Sequence, residues 1–307
     1  MSVNVNVSVS GNDIQSSLRR PLKMRLQSFF LMCKPRVNSL IVFTAIIGML
    51  LAIPEGPPLG LLLAASLGIA LVSGAAAAFN CVIEQHIDAR MARTRARPLP
   101  LGHADPKETL FLATLVCGIG LAILHHFANP LTAWLTLATF LGYAVIYTAV
   151  LKPATPMNIV IGGISGAMPP VLGWAAMTGS IGVEPLALFL VIFLWTPPHF
   201  WALACYRRED YARSGLPMLP VTHGVPFTCQ HILLYTVMLA AASLIPVSLG
   251  MSGMIYLVAV VLLDLGFLGY ATAMCFKYSD RLAKQTFRYS ILYLTLLFAA
   301  LFLDRLY

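Results

Sequence analysis

The sequence predicts an all-α, polytopic membrane protein in which about nine transmembrane helices form one bundle. Its composition is 59% hydrophobic and only 10% charged, whereas soluble domains contain roughly 25% charged residues. Apolar stretches near the ~20 residues needed to cross a bilayer recur along the chain. Positive residues then collect on one side of these stretches. Together the three observations exclude an ordinary soluble domain.

Apolar length defines the expected spans. They are residues 37–53, 59–80, 109–127, 131–151, 159–178, 186–205, 231–249, 254–276 and 287–303. No linker rich in Gly, Ser or Pro divides the chain, so we expect residues 29–307 to form a single transmembrane domain. Residues 1–28 are polar and open with the low-complexity run SVNVNVSVSGN, which predicts a disordered N-terminal segment.

The distribution of Lys and Arg tests this topology independently. With these spans, 19 of the 20 positive residues fall on one side, and only Arg305 falls opposite. Because positive residues are retained in the cytoplasm, we predict a cytoplasmic N-terminus. The net charge of +8 then reflects topology and contact with anionic lipid, and it gives no reason to expect a nucleic-acid partner.

The densest charge follows the second span, in NCVIEQHIDARMARTRARPLP, residues 80–100. Asn80, Glu84 and Asp88 are spaced i, i+4 and i+8, so a continuing helix places them on one face. Hard cations such as Mg²⁺ prefer carboxylate and amide oxygens and often bind through substrate phosphates. The alternative is a solvated helix end whose acids pair with nearby arginines. Three such residues at a membrane boundary favour a functional site.

Four arginines follow in the same segment before a Pro-Leu-Pro stop: Arg90, Arg93, Arg95 and Arg97. Guanidinium groups match phosphate oxygens, although retention of positive charge in the cytoplasm explains some of these residues without a ligand. Acids that hold a metal, beside cations that hold phosphate, are typical of a site that stabilises a departing diphosphate.

A second cluster, CYRREDYARSGLPMLPVTHG, follows the sixth span. Asp210 corresponds to Asp88, and a second Leu-Pro stop corresponds to the first. Two acidic loops on the same side predict a clamp around one metal-diphosphate. Lys152 ends the fourth span on that side, either as a phosphate ligand or as an interfacial anchor.

The segment LWTPPHFWALA predicts an irregular sixth span. Pro197 and Pro198 should break or kink the helix and free backbone carbonyls, a feature that usually lines a cavity. His199 lies among aromatic residues in the same segment. It is either a hydrogen-bonded packing residue or a contact for a polar or metal-bearing ligand.

Taken together, four segments closely resemble the heme-farnesylating branch of the UbiA superfamily of intramembrane prenyltransferases. They are NCVIEQHIDARMARTRARPLP, YTAVLKPATPMNIVIGGISGAMPPVLGW, WTPPHFWALA and REDYARSGLPMLPV. The likeness covers nearly all of residues 30–303. It implies nine transmembrane helices with substrate loops on the cytoplasmic side. It also implies transfer of farnesyl from farnesyl diphosphate to a vinyl group of heme B, with hydration, to give heme O for terminal oxidases and heme A synthesis.

Position by position, the resemblance also implies roles for individual residues. Asn80, Glu84, Asp88 and Asp210 would be catalytic and hold Mg²⁺. The diphosphate ligands would be Arg93, Arg97, Lys152, Arg207 and Arg208, and the candidates for heme contact would be His199 and then His86.

The sequence departs from the superfamily pattern at two places. Glu84 stands where many members carry Asp, and Tyr206 stands where a second Asp would precede Asp210. Glu209 is adjacent to Asp210, but on a helix its side chain points about 100° away.

The resemblance places the protein in a lipid bilayer, a bacterial inner membrane being favoured and a mitochondrial inner membrane being open. Contact with heme A synthase or terminal oxidase assembly is an expected partnership. Three rival interpretations remain at this stage: a transporter, which would spread polar residues through the membrane depth, a non-catalytic assembly factor, and a prenyltransferase acting on a quinone-precursor aromatic acid. Asp264 is the conspicuous ionisable residue within a span.

Overall fold

The computed structural model describes residues 21–306, and this part of the chain is helical with no strand. Within it, nine helices are long and apolar enough to cross a membrane, which confirms the predicted fold class. They are Pro35–Ala52, Leu59–Ile83, Pro106–Ala128, Pro130–Ala154, Asn158–Thr178, Val183–Tyr206, Gly224–Ser248, Met254–Phe276 and Asp280–Leu306. We call them the first to ninth spans.

Short helices lie before the first span and between later spans, at the end of the bundle where the charged motifs were predicted. They are Leu22–Met32, Gln85–Arg90, Arg208–Ser214 and Leu219–Thr222. We call this end the basic end. The predicted disorder at residues 1–20 lies outside the described residues, whereas residues 22–28, predicted to belong to the same segment, are helical. The cytoplasmic position of the basic end stays a prediction.

The sixth span has the largest buried share of the nine helices and forms the centre of the packing. It contacts the fifth, seventh and ninth spans, while the first span packs closely on the fifth. The sixth span runs as one helix through Pro197 and Pro198, so the prediction of a break is wrong, and a kink stays a prediction. Neighbouring helices on several sides hold the proline segment in place, because tertiary packing outweighs the local loss of a hydrogen bond.

The first and fifth spans approach backbone to backbone. A Cβ added to Gly173 would lie 2.0 Å from the carbonyl oxygen of Ala45, and one added to Gly48 would lie 2.4 Å from that of Pro170. Small residues permit such close approach between membrane helices. This contact fixes the first span, whose start lies at the basic end.

Polar contacts also join the last three spans. Asp264, the predicted exception within the membrane, is buried and accepts hydrogen bonds from Ser243 Oγ at 2.8 Å and Tyr293 Oη at 2.7 Å. Asp304 accepts from the backbone amides of Gly253 and Tyr256 at the start of the eighth span. Asp264 therefore links the seventh, eighth and ninth spans through two hydroxyl groups.

Candidate active site

The first motif continues the second span with only a local irregularity at Glu84. The helix ends at Ile83 and a new one starts at Gln85, yet the backbone amide of Glu84 still donates to Asn80 O at 3.0 Å and that of Asp88 to Glu84 O at 2.8 Å. The three side chains therefore share one face, as the spacing predicted. Their exposed fractions are 2%, 4% and 2%, so this helix end is not solvated, although the pairing of an acid with a nearby arginine that the alternative predicted does occur between Asp88 and Arg97.

Each of these three side chains contacts one cation, two of them from distant parts of the chain and the third from the end of the same motif. The contacts are Lys34 Nζ to Asn80 Oδ1, Lys152 Nζ to Glu84 Oε1 and Arg97 Nη1 to Asp88 Oδ2, each at 2.5 Å. A buried carboxylate is costly unless it is paired, which explains how two acids are accommodated here. The sequence had indicated Arg97 and Lys152, whereas Lys34 had been counted only as a topology signal.

The cations differ in their electrostatic surroundings. Burial lowers the pKa of Lys34, whose side-chain partner is a neutral amide. Burial also acts to lower the pKa of Arg97, but its acidic neighbours, Asp88 foremost and Glu84 among them, together outweigh burial and the pKa rises. The Arg97 charge is thus stabilised by its own counter-ion, and the Lys34 charge is not.

The second motif is more loosely organised. Asp210 is buried on the short helix Arg208–Ser214, and its carboxylate lies 3.0 Å from Arg213 Nη2 and 3.6 Å from Arg207 Nη1. Those two arginine side chains are 67% and 44% exposed. This helix contacts the helix Gln85–Arg90, so the two motifs lie side by side.

An open cleft lies beside the second motif. Its lining includes Arg207, Arg208 and Asp210 from the second motif and Tyr278 and Asp280 from the start of the ninth span. The structure thus adds residues of the loop between the eighth and ninth spans to the surroundings of the second motif. Nothing in the sequence had indicated this contribution.

The remaining predicted residues at the basic end are exposed. Arg93 and Arg208 are exposed and form no ion pair with any described residue. Glu209 is exposed while Asp210 is buried, in keeping with the predicted divergence of the two side chains. His86 is also exposed, in contrast to the buried face of Glu84 and Asp88.

His199 lies within the sixth span between two aromatic rings. Its ring centroid is 4.3 Å from that of Trp195 and 4.6 Å from that of Phe287. Its Nδ1 is 2.7 Å from Ser290 Oγ, and that hydroxyl donates to Phe287 O at 2.7 Å. Because the single hydroxyl proton is committed to the carbonyl, His199 Nδ1 donates to Ser290, and His199 Nε2 keeps an unshared lone pair.

An aromatic path connects His199 with the second motif. Phe287 lies 6.2 Å from the ring of Tyr206, and Arg207 Cζ lies 5.6 Å above the same tyrosine ring. The path therefore runs from Arg207, next to Asp210, to His199 inside the sixth span. Phe287 and Ser290 belong to the ninth span, and sequence spacing alone had not associated them with the site.

The oxygen donors of the two motifs fit Mg²⁺ in their chemistry, since it prefers carboxylate and amide ligands. Among residues 21–306, however, no three or more His, Cys, Asp or Glu side chains are grouped as a ready metal site. The donors are instead paired with ammonium and guanidinium groups. Binding of a metal and an anion would therefore require an exchange of partners, in which carboxylates turn to the metal and cations turn to the anion.

Comparison with known proteins identifies the class to which this fold and site belong. Residues 41–301 match the model of the UbiA prenyltransferase family. The chain therefore belongs to that family, and it is a transferase. This result favours the enzyme interpretation over the transporter.

Two relatives share high sequence identity over most of their length. A protoheme IX farnesyltransferase from Dechloromonas aromatica (strain RCB) is 72% identical over 286 residues, which are 93% of this chain and 96% of the relative. A protein of the same name from Aromatoleum aromaticum is 62% identical, over 93% of this chain and 94% of the relative.

Solved structures share the fold at low sequence identity. A digeranylgeranylglyceryl phosphate synthase aligns with a TM-score of 0.77 and 17% identity, over 92% of this chain and 98% of that one. A UbiA homolog from Archaeoglobus fulgidus bound to GPP and Mg²⁺ aligns with a TM-score of 0.61 and 15% identity, over 89% and 99%. These likenesses support the nine-helix architecture.

Proposed function

We propose that this protein transfers the farnesyl group of farnesyl diphosphate to a vinyl group of heme B, with addition of water, to give heme O. The observation that carries this proposal is the 72% identity to a protoheme IX farnesyltransferase over 93% of the chain. The buried acids and cations of the basic end support it, because they provide the charges that a diphosphate and a metal require.

The diphosphate would bind at the basic end, between the two motifs. Asn80, Glu84, Asp88 and Asp210 would hold Mg²⁺, which when bound neutralises part of the negative charge on the leaving diphosphate. The structure of an A. fulgidus family member with GPP and Mg²⁺ supports a divalent metal as cofactor.

The cations of the site would exchange their carboxylate partners for phosphate oxygens. Lys152, Arg97 and Arg207 now contact Glu84, Asp88 and Asp210. Arg93 and Arg208 are exposed at the same end and add donors without first having to leave a described carboxylate. The cations would then stabilise the charge that develops on the diphosphate as it departs.

Chemistry would begin when the C1–O bond of farnesyl diphosphate breaks and diphosphate takes the bonding electrons. The terminal vinyl carbon of heme B attacks the allylic cation, and a new C–C bond forms. Positive charge moves to the carbon next to the porphyrin ring, where water adds and loses a proton to give the hydroxyl group. A site shielded from bulk water prevents earlier capture of the farnesyl cation.

His199 is the proposed heme contact, and its hydrogen-bond pattern supports this role. Ser290 engages Nδ1, so the lone pair of Nε2 is available to the heme iron or to a proton from the adding water. His86 remains the second candidate, at the exposed side of the first motif.

The cellular setting is part of the same proposal. Residues 29–307 would act as a single domain, with the basic end in the cytoplasm, where positive-inside retention places it. The membrane would be a bacterial inner membrane, with a mitochondrial inner membrane as the alternative. Heme A synthase or a terminal oxidase under assembly would receive the product directly.

The test is an acceptor comparison with purified protein in lipid vesicles, supplied with farnesyl diphosphate and Mg²⁺. Heme B and a quinone-precursor aromatic acid are offered separately, and products are identified by mass spectrometry. We expect heme O from heme B and no prenylated aromatic acid. Prenylation of the aromatic acid alone, by folded protein, would overturn the proposed acceptor.

A further inference from the structure

Lys34 has an unusual backbone conformation at the joint between the helix Leu22–Met32 and the first span. Its φ and ψ are 49° and 61°, and among the described residues it is the one non-glycine residue with positive φ. This left-handed conformation is unfavourable for a residue with a Cβ. Such strain persists where the surrounding structure imposes it, and it is often found at functional sites.

The strained joint directs the lysine side chain into the first motif. Lys34 Nζ lies 2.5 Å from Asn80 Oδ1, and Asn80 is itself held by Thr148, whose hydroxyl is 3.2 Å from Asn80 Nδ2. Thr148 in turn donates to Tyr143 O at 2.8 Å. The lysine is thus positioned by the second and fourth spans together.

Lys34 differs from the paired cations of the site in its partner. Arg97, Lys152 and Arg213 each lie within 3.0 Å of a carboxylate oxygen, whereas the side-chain partner of Lys34 is a neutral amide, and no described carboxylate forms an ion pair with it. An ammonium group has three N–H donors, and this contact uses one. A partly buried cation without a counter-ion is costly, so the site has unused capacity to bind an anion.

An anchoring role at the membrane surface does not account for this arrangement. Anchoring lysines extend toward water and lipid headgroups, as the exposed Lys107 does at the start of the third span. Lys34 turns inward to an amide that is 2% exposed, within electrostatic range of Glu84, Arg97 and Lys152. The charge is therefore directed at the interior of the site.

We propose that Lys34 binds the diphosphate of the prenyl substrate and that Asn80 positions it. This inference rests on the proposed function, and it gives Asn80 a role through Lys34 in addition to metal binding. Both roles are compatible, because an amide oxygen has two lone pairs. Unlike Arg97 and Lys152, Lys34 need not leave a carboxylate before it contacts phosphate, so it would be ready for the incoming substrate.

The test measures binding of inorganic diphosphate, with Mg²⁺ present, to purified parent protein and to Lys34→Met, Lys34→Arg and Lys107→Met variants in lipid. Lys34→Met should weaken the binding of diphosphate about 10- to 100-fold, because it removes a charge-assisted hydrogen bond. Lys34→Arg should restore most of the affinity, and Lys107→Met should bind like the parent. Parent-like binding by Lys34→Met, or equal weakening in Lys107→Met, would overturn the inference.

Two additional readouts separate this inference from folding defects and from the proposed function. The KM for heme B should stay within about twofold in folded Lys34→Met, because a lost phosphate contact acts on one substrate. If Lys34→Met does not fold, Lys34→Gln serves in its place. Heme O formation by the parent, with no effect of Lys34 substitution on diphosphate binding, would refute the inference alone. Weakened diphosphate binding in Lys34→Met, with no heme O from the parent, would refute the proposed acceptor alone.

Discussion

The two acidic motifs contain similar residues but hold them in different ways. Glu84 and Asp88 are nearly inaccessible, and each contacts a cation at 2.5 Å from at least nine positions along the chain. Asp210 is also buried, but its partners are arginines three residues away that extend to 44% and 67% exposure. The first motif is thus held by cations that lie outside its own helix, Lys152 across the bundle and Arg97 in the segment that follows, and the second by local contacts on one short helix.

This difference indicates unequal tasks for the two halves of the site. Loss of one partner of a buried ion pair is costly, because it leaves an uncompensated charge in a low-dielectric interior. Exposed ion pairs contribute little to stability. The first motif is suited to hold charge in a defined geometry before substrate arrives. The second, beside an open cleft, can exchange partners at lower cost when the diphosphate binds.

The largest effect is expected when Asp88 is changed to Asn. Loss of this carboxylate removes a proposed metal ligand and leaves Arg97 without its counter-ion, so heme O formation should fall about 10²- to 10³-fold or more. The measurement is the initial rate of product formation by mass spectrometry. Glu209→Gln, an acid removed at the exposed side of the second motif, is the matched control and should stay within about threefold of the parent. Equal losses in both variants would contradict the unequal roles.

A smaller effect is expected from removing the basic partners. Lys152→Met leaves Glu84 buried without its cation and removes a proposed phosphate ligand, so turnover should fall about 10- to 100-fold. Arg213→Met removes a cation that is 67% exposed and should change turnover by about twofold or less. Steady-state kinetics with farnesyl diphosphate as the varied substrate distinguish the two. A stronger effect at Arg213 would show that the second motif is the more tightly organised.

Substitutions in the two motifs should also differ in their effect on the free energy of unfolding. Asp88→Asn should lower the free energy of unfolding by about 1–3 kcal/mol, because a buried charge loses its partner. Asp210→Asn should lower it by about 1 kcal/mol or less, since its arginine partners can turn to water. Thermal unfolding in detergent, followed by tryptophan fluorescence, measures both. The reverse order would indicate that Asp210 stabilises the fold more than Asp88 does.

The smallest effect on turnover per folded molecule is expected from substitutions where the first span packs on the fifth. These substitutions should change the stability of the fold. Gly173→Ala places a methyl group 2.0 Å from Ala45 O and should cost about 1–3 kcal/mol of stability through overpacking. Gly166→Ala, with open space around the added Cβ, should leave the unfolding temperature close to that of the parent. Equal unfolding temperatures for both variants would show that the first and fifth spans can move apart at little cost in stability.

Much of the fold was predictable from apolar length. Each of the nine predicted spans corresponds to a helix, and the main errors lie at the seventh and ninth, which begin at Gly224 and Asp280 rather than near residues 231 and 287. The missed turns of the ninth span contain Asp280, Arg281 and Lys284. Apolar length excludes these charged residues, although they are compatible with a helix that extends beyond the membrane. Pro197 and Pro198 do not end the sixth span, because packing around it outweighs the local tendency of proline to break a helix.

The candidate site was predictable where its residues follow one helix and not where they meet across the bundle. The spacing of Asn80, Glu84 and Asp88 placed them on one face, as the structure shows. Lys34 and Ser290 lie 46 and 91 positions from their partners Asn80 and His199. Only the packing of the first span on the second, and of the ninth on the sixth, brings these pairs together.

The central claim is that the acids and cations of the basic end serve metal-dependent release of diphosphate during farnesyl transfer to heme B. Its most direct test is heme O formation by one purified sample in lipid, first after removal of divalent ions with a chelator and then during titration with Mg²⁺. We expect no product in the chelated sample and full recovery on addition of Mg²⁺. Undiminished heme O formation after chelation would contradict the claim.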